Sequence, residues 1–280
     1  MDRSIRLQHI LYLNDLDRAI RDGLVRECWH RSLPLAVLNY TSKCAGEHAW
    51  TDTTRACRGL IVSRAGEHGL LDGEVVARPW PKFFNYGEHY KEGRLREGTG
   101  YPLDAPVEVT DKLDGSLGIL YPDGAGSWGI ATRGSFESEQ ALHATDLLLE
   151  RIGTPGGWRP AEGFTYLFEI IYPANRIVVD YGGADDLYLI GLVETSTGRC
   201  IGPRYSAWPG PRVSSLSYET LADAVYAPPR ENAEGMVVSF EDGLMVKIKQ
   251  EDYVALHRLV TGLSKRTVWE HISRGGYGEA

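Results

Sequence analysis

The sequence has little that would carry it out of the aqueous interior of a cell. Its 280 residues hold no apolar run approaching the roughly 20 needed to cross a bilayer. The N-terminus, MDRSIRLQHILYLNDLD, threads charges through its apolar residues and lacks a secretory-signal pattern. Cysteine is scarce. Cys28, Cys44, Cys57 and Cys200 show no CxxC spacing, which argues for reduced structural thiols over a disulfide framework or a zinc site. Repeats, low-complexity blocks and long linkers are also missing. The expectation is a cytoplasmic protein with no membrane partner. Positive charge is in deficit too: 30 Lys and Arg against 38 Asp and Glu leave a net charge of −8. Phosphate backbones attract positive surfaces, so this balance weighs against broad nucleic-acid binding. Any basic site must be local, assembled in a cleft from residues scattered along the chain.

What is present is a set of short strand-like runs. With 42% hydrophobic residues the chain can bury a substantial core. Apolar runs of five to eight residues, bounded by Gly, Pro, Asn and Asp, predict strands over 34–40, 58–64, 73–80, 107–113, 117–121, 128–133, 166–172, 176–181, 187–194, 234–240 and 244–249. Helical spacing is clearest over 138–152, ending at Gly153, and again in EDYVALHRLVTG. A further helix is expected over 15–29, interrupted by Gly23, and Ser264 is placed to cap a short final one. Strands dominate. The expected class is α+β, a single domain of twisted antiparallel sheets flanked by helices.

One strand carries an oddity. VEVTDKLDGSLGILY (107–121) reads as strand, Gly-Ser turn, strand, yet it holds Lys112 and Asp114, both poor strand formers. Alternation puts Glu108, Thr110, Lys112 and Asp114 on one face and Val107, Val109 and Leu113 on the other. In EGMVVSFEDGLMVKIKQ (234–250), Asp242-Gly243 suggests a two-residue type I′ turn. That turn would set Phe240 opposite Met245, Val238 opposite Lys247 and Met236 opposite Lys249. Lys247, Lys249 and Glu234 would then share a face. A solvated strand face carries alternating lysines as often as a site does, so this hairpin alone decides nothing.

Taken together the residues suggest chemistry. A lysine amine attacks an electrophile only when unprotonated, and partial desolvation beside Lys247, Lys249 and Arg133 would favour that form of Lys112. The same cations suit a polyphosphate and the charge that develops on phosphorus during transfer. Asp114, Glu169 and Glu234 suit a ribose hydroxyl or a hard divalent metal, and Gly115 would let backbone approach a nucleotide.

On these residues the chain resembles the covalent lysine nucleotidyltransferases, and among them the bacteriophage-type RNA ligase 1 family. Lys112-Leu113-Asp114-Gly115 matches its KxDG signature. CRG (57–59), PKFFNYGE (81–88), TRGSF (132–136), FEIIYPANRIVVDY (168–181) and the pair EGMVV and VKIKQEDYVALH follow in the family's order. A lone KxDG is weak; the ordered set is strong, covering about 55–272. The resemblance implies a nucleotidyltransferase fold, an ATP-grasp-like ligase adenylation domain over 51–275, with residues 1–50 packed on it as an extension. Only 31 residues follow Lys249, so neither the helical domain of the phage enzyme nor an OB-fold is expected there.

The resemblance also implies roles. Lys112 would carry AMP, with Asp114 and Gly115 completing its motif. Arg58 and Lys82 match positions that engage ATP phosphates, and Arg133 stands where the phage enzyme has lysine. Glu169 matches a nucleoside-site carboxylate, Glu234 the glutamate associated with Mg²⁺ or Mn²⁺, and Lys247 and Lys249 the pair that contacts the α-phosphate. Tyr253 matches a helix-start tyrosine, although a core role suits it equally. Phe83 and Phe84 either wall the adenine pocket or fill core. The implied reaction takes AMP from ATP onto Lys112, passes it to an RNA 5′-phosphate, and joins that end to a 3′-hydroxyl. Rival readings are a DNA ligase or capping enzyme, a binding module without chemistry, and a domain that ligates only beside an end-healing kinase or phosphatase.

Overall fold

In a computed structural model the strand-like runs assemble into three sheets; residues 5–64, 73–91, 101–124, 126–153 and 157–262 are described. The first sheet runs antiparallel in chain order through β1 (Val25–Trp29), β2 (Leu35–Tyr40), β3 (Arg58–Ser63) and β4 (Val75–Ala77). The chain then forms β5 (Phe84–Asn85), β6 (Glu108–Lys112), β7 (Ser116–Pro122), β8 (Trp128–Thr132), β9 (Phe164–Ile171), β10 (Asp186–Glu194), β11 (Cys200–Ile201), β12 (Ser215–Leu216), β13 (Gly235–Ser239) and β14 (Met245–Lys249). The second sheet has the order β11-β10-β9-β7-β8 and the third β12-β6-β13-β14-β5. The third ends in a parallel pair, β14 with β5, in an otherwise antiparallel arrangement.

Three layers of apolar side chains position these sheets. Val37 and Ile61 of the first sheet meet Ile119, Ala131 and Leu167 of the second and Val237 and Met245 of the third. Behind the first sheet, the helix Leu13–Arg21 buries Leu16 and Ala19 on Ala36, Leu38 and Leu60. Behind the second, the helix Glu139–Ile152 lays Ala144, Leu148 and Ile152 on Ile130, Phe168 and Leu187. Its start is fixed by Ser138, whose hydroxyl accepts the backbone N–H of Ala141. The helix Leu221–Val225 covers the third sheet's outer face at Val109, Met236, Val238 and Val246. Residues before 50 supply β1 and β2, half of the first sheet, paired directly to β3.

Two local expectations change, and a third falls outside the described residues. The helix expected over 15–29 ends at Arg21, and Val25–Trp29 is instead a strand. The reason is tertiary: β2 has a free edge that β1 satisfies along its whole length. Residues 176–181 form no strand. The N–H groups of Val178 and Val179, which a ladder would use, donate to Asp114 Oδ2 at 2.8 and 2.9 Å. The final helix expected from Ser264 lies outside the described residues.

The hairpin β13–β14 differs by one residue. Its loop has three residues: Phe240 N–H donates to Leu244 O (2.9 Å) and Gly243 N–H to Phe240 O (3.0 Å). Gly243 sits at φ +88°, the left-handed residue that closes a type I turn with a G1 bulge. Val237 therefore faces Lys247, and Gly235 faces Lys249. A slip of one exchanges the faces of a strand. Met236 and Val238, expected on the lysine face, are core residues on the opposite one.

Candidate active site

Lys112 is the last residue of β6, and β6, β13 and β14 lie side by side. The register puts Lys112, Gly235 and Lys249 in one row across three strands. The middle residue has no side chain, and none fits: a Cβ on Gly235 would lie 2.1 Å from Ile248 O and 2.8 Å from Lys249 Cα. Gly235 also sits at φ +149°, outside the range of ordinary strand residues. Strand alternation ends there. Glu234, which strict alternation in the observed register would send to the Met236 face, meets the two lysines instead. Its Oε2 takes Lys112 Nζ at 2.7 Å and its Oε1 takes Lys249 Nζ at 2.8 Å. Glu234 is only 4% exposed, so its charge is removed from water and compensated on both oxygens. Sequence reasoning placed Glu234 beside Lys249 correctly but through the wrong register.

Lys247 stands two residues before Lys249, its Nζ 5.0 Å from the ring centre of Phe83. Burial first, then Lys82, Arg58, Lys112 and Lys249, push this amine down to about 6. Lys247 is therefore largely uncharged at neutral pH in the free protein. The cations around it come from three directions. Arg58, at the start of β3, lies 5.5 Å from the Phe83 ring centre and reaches Trp80 O. Burial lowers its pKa as well. Lys82 Nζ donates to Phe83 O (3.1 Å) and sits 4.1 Å from the ring centre of Phe84. Arg133 is exposed and donates to Tyr40 Oη at 2.7 Å. Tyr40 was not singled out from the sequence; as the last residue of an apolar strand it carries no local signal.

The facing sheet contributes Glu169 on β9, whose Oε1 accepts Gly115 N–H at 3.0 Å. Burial pushes this carboxyl up to about 7; Lys112 and Arg58 oppose the rise and Glu234 adds to it. Gly115 is needed for packing: a Cβ there would stand 2.5 Å from Ile170 O of β9. The missing side chain thus lets the turn close on β9 and Glu169.

Asp114 has a supporting geometry. Its Oδ2 accepts Val178 and Val179 N–H, and its Oδ1 accepts Tyr253 Oη at 2.7 Å. Its own N–H donates to Tyr181 Oη at 2.7 Å. The carboxylate so ties the turn after Lys112 to the 176–181 loop and to the helix Glu251–Gly262. Three of the roughly four acceptor sites of this buried carboxylate are taken by the protein itself, a tie that holds the turn after Lys112 in place. Asn232 adds a second tie, accepting Asp180 N–H and donating to Asp180 O. Phe84 is also corrected. It is 2% exposed, packed on Cys44 and Trp50 under Lys82, so its ring offers no face to an adenine.

Among the described residues no group of three or more His, Cys, Asp or Glu is arranged to hold a metal. Glu169 and Glu234 are two carboxylates only, and both Glu234 oxygens carry lysines. That donor set fits a magnesium-like ion bound chiefly through nucleotide phosphates, with one or two protein carboxylates assisting, and does not fit a cage built by protein alone. A cavity of about 1090 Å³ between β6, β11 and the 240–243 loop includes none of the site's charged residues.

The arrangement has counterparts. The model of a family described as RNA ligase matches residues 56–253. The chain is 26% identical over 167 residues to an RNA ligase of Rhodothermus phage RM378, covering 49% of this chain and 36% of that one. It is 32% identical over 153 residues to RNA ligase 1 of bacteriophage TS2126, covering 53% and 37%. The match thus spans little more than a third of those relatives' length. An archaeal ATP-dependent RNA ligase structure superposes with a TM-score of 0.59 at 16% identity, over 95% of this chain and 70% of that one, a likeness of fold.

Proposed function

Because the chain belongs to the RNA ligase family, we propose that it is an ATP-dependent RNA ligase working through a lysyl-AMP on Lys112. The observation that carries this reading is the carboxylate of Glu234 shared by Lys112 and Lys249 at 2.7 and 2.8 Å. It holds the would-be nucleophile and a phosphate-binding cation at one fixed separation, with a proton acceptor beside the amine. Arg58, Lys82, Arg133 and Lys249 supply the local positive charge that a net −8 chain needs before it can hold a triphosphate.

In the first step Lys112 Nζ, its proton passed to Glu234 Oε2, bonds to the α-phosphorus as the bond to pyrophosphate breaks. Lys247 and Lys249 meet the charge on the α-phosphoryl oxygens. Lys247 enters neutral and takes up a proton as the triphosphate arrives, so its charge appears only where an anion needs it. In the second step an oxygen of an RNA 5′-phosphate displaces Lys112 from the adenylate, and the amine regains its proton. In the third an RNA 3′-hydroxyl attacks the 5′-phosphorus and AMP leaves. Glu169 would orient the nucleoside through the Gly115 turn. Mg²⁺ or Mn²⁺, held by nucleotide oxygens with Glu234 assisting, would offset repulsion among the phosphates.

The test is retention of label after denaturation of protein incubated with α-labelled ATP and Mg²⁺. Wild type is expected to keep label and Lys112→Ala to keep none; equal labelling of both overturns the assignment. Adding 5′-phosphorylated RNA or DNA then separates an RNA ligase from a DNA ligase. GTP in place of ATP separates it from a capping enzyme. Joining seen only when an end-healing kinase or phosphatase is added would identify the partner-dependent variant.

A further inference from the structure

We infer that Arg26, on the edge strand β1, forms with Arg133 a docking site for a phosphate of the RNA strand, outside the nucleotide pocket; the inference rests on the RNA ligase reading above. The register of the first sheet sets Arg26 opposite Asn39 and Asn39 opposite Arg58. Arg26, Asn39 and Arg58 therefore form one row across three strands, on the face that looks toward the second sheet. Arg58 is the inner end, beside Lys247 and Glu169. Arg26 is the outer end, two strand spacings or about 10 Å away. Its position continues the pocket's cationic row past the reach of a triphosphate already seated on Arg58.

Arg26 ends that row on an edge strand. It is exposed and, among the described residues, has neither an ion pair nor a hydrogen bond. Arg21, Arg176, Arg204 and Arg230 are paired with Asp17, Asp180, Glu108 and Asp111, whereas Arg6, Arg18, Arg31 and Arg258 are exposed and, among the described residues, unpaired like Arg26. What sets Arg26 apart is its place at the end of the row that starts at Arg58. A guanidinium left with five unused donors suits a phosphate arriving from outside. Gly134 leaves the end of this side chain room. Gly134, the residue after Arg133, has no side chain, and a Cβ there would lie 2.9 Å from Arg26 Nη2 and 3.4 Å from Asn39 Nδ2. A larger residue at 134 would push the end of the Arg26 side chain aside. Arg133 itself is tethered only to a neutral partner, Tyr40 Oη, so its charge is also available.

The test uses the full chain and 5′-phosphorylated single-stranded RNA. Binding is measured by fluorescence anisotropy at several salt concentrations for wild type, Arg26→Ala and Arg26→Lys. Labelling by α-labelled ATP is followed in parallel. Arg26→Ala is expected to weaken RNA binding about tenfold. It should also lower the slope of log affinity against log salt by about 0.7, the share of one phosphate on a single strand. Arg26→Lys should recover the slope but only part of the affinity. Gly134→Leu, which crowds the same spot, should weaken RNA binding without removing a charge. Unchanged affinity and slope in Arg26→Ala, with wild type still joining RNA, overturns the docking site alone. A parallel collapse of labelling in Arg26→Ala overturns it as well, since Arg26 would then serve the fold or the ATP pocket. Failure of labelled wild type to bind any RNA overturns the ligase reading and the docking site together.

Discussion

Replacing Lys247 with methionine should stabilise the free protein while abolishing its chemistry. Methionine keeps a straight chain along Phe83 and removes the amine. The size of the gain follows from the pKa of Lys247, about 6 when folded against an ordinary 10.5. At pH 7 the unfolded lysine is charged and the folded one largely neutral. Giving up that proton costs about 1.4 kcal/mol per pH unit between 7 and 10.5, or about 5 kcal/mol. That figure is a ceiling, because partial exposure of the amine lets water relieve part of the cost. Between pH 6 and 10.5 the unfolded chain binds the extra proton, so this site makes wild-type stability rise with pH through that window. Below pH 6 the penalty is complete, and above 10.5 it vanishes. Urea unfolding of both proteins at pH 6.5, 7.5 and 8.5 reads this directly. The variant should be at least about 2 kcal/mol more stable at pH 6.5, and its lead should shrink by up to about 1.4 kcal/mol per pH unit. A lead that is absent, or independent of pH, would refute a neutral Lys247. The same variant should keep no label from ATP, which would make this lysine a residue held at a cost in stability for the sake of function.

Three further outcomes follow. ATP binding near pH 7.5 should take up a proton as the triphosphate recharges Lys247, seen as a dependence of the calorimetric heat on buffer ionisation enthalpy; Lys247→Met should lose that dependence. Gly235→Ala should cost about 2–4 kcal/mol in urea unfolding and nearly eliminate labelling, because its Cβ meets Ile248 O at 2.1 Å and displaces Glu234; a mild change would mean that the hairpin adapts. Tyr253→Phe should cost about 1–3 kcal/mol by leaving the buried Asp114 Oδ1 without its donor. Urea unfolding also checks this, and a neutral result would show that water replaces the hydroxyl.

Much of the fold was legible because burial periodicity is local. Runs 187–194 and 128–133 bury Leu187, Leu189, Leu192 and Val193, and Gly129, Ile130 and Ala131, and appear as β10 and β8 nearly where the apolar pattern puts them. The helix Glu139–Ile152 likewise follows from its spacing and its serine cap. Less legible were the short strands. β5, β11 and β12 have two residues each, too few for a period, and exist because a neighbouring edge receives them. The RIVVDY run shows the opposite error: its residues favour a strand, but Asp114 from a distant turn takes the donors.

The chemistry of the site was determined by the sequence itself. Which residue types appear, KxDG beside a GLMVKIK strand, two acids and several separated cations, needs no coordinates, because reactivity belongs to the side chain. What the tertiary structure alone decided is who touches whom. Glu234 bridges two lysines because Gly235 breaks an alternation. Phe84 turns inward because Trp50 and Cys44 fill its other side. Lys247 sheds its proton because it is buried and because Lys82, Arg58 and Lys112, from distant segments, join Lys249 around it. Register, burial and field are sums over neighbours that sequence separation hides, so they come into being only when the three sheets close on one another.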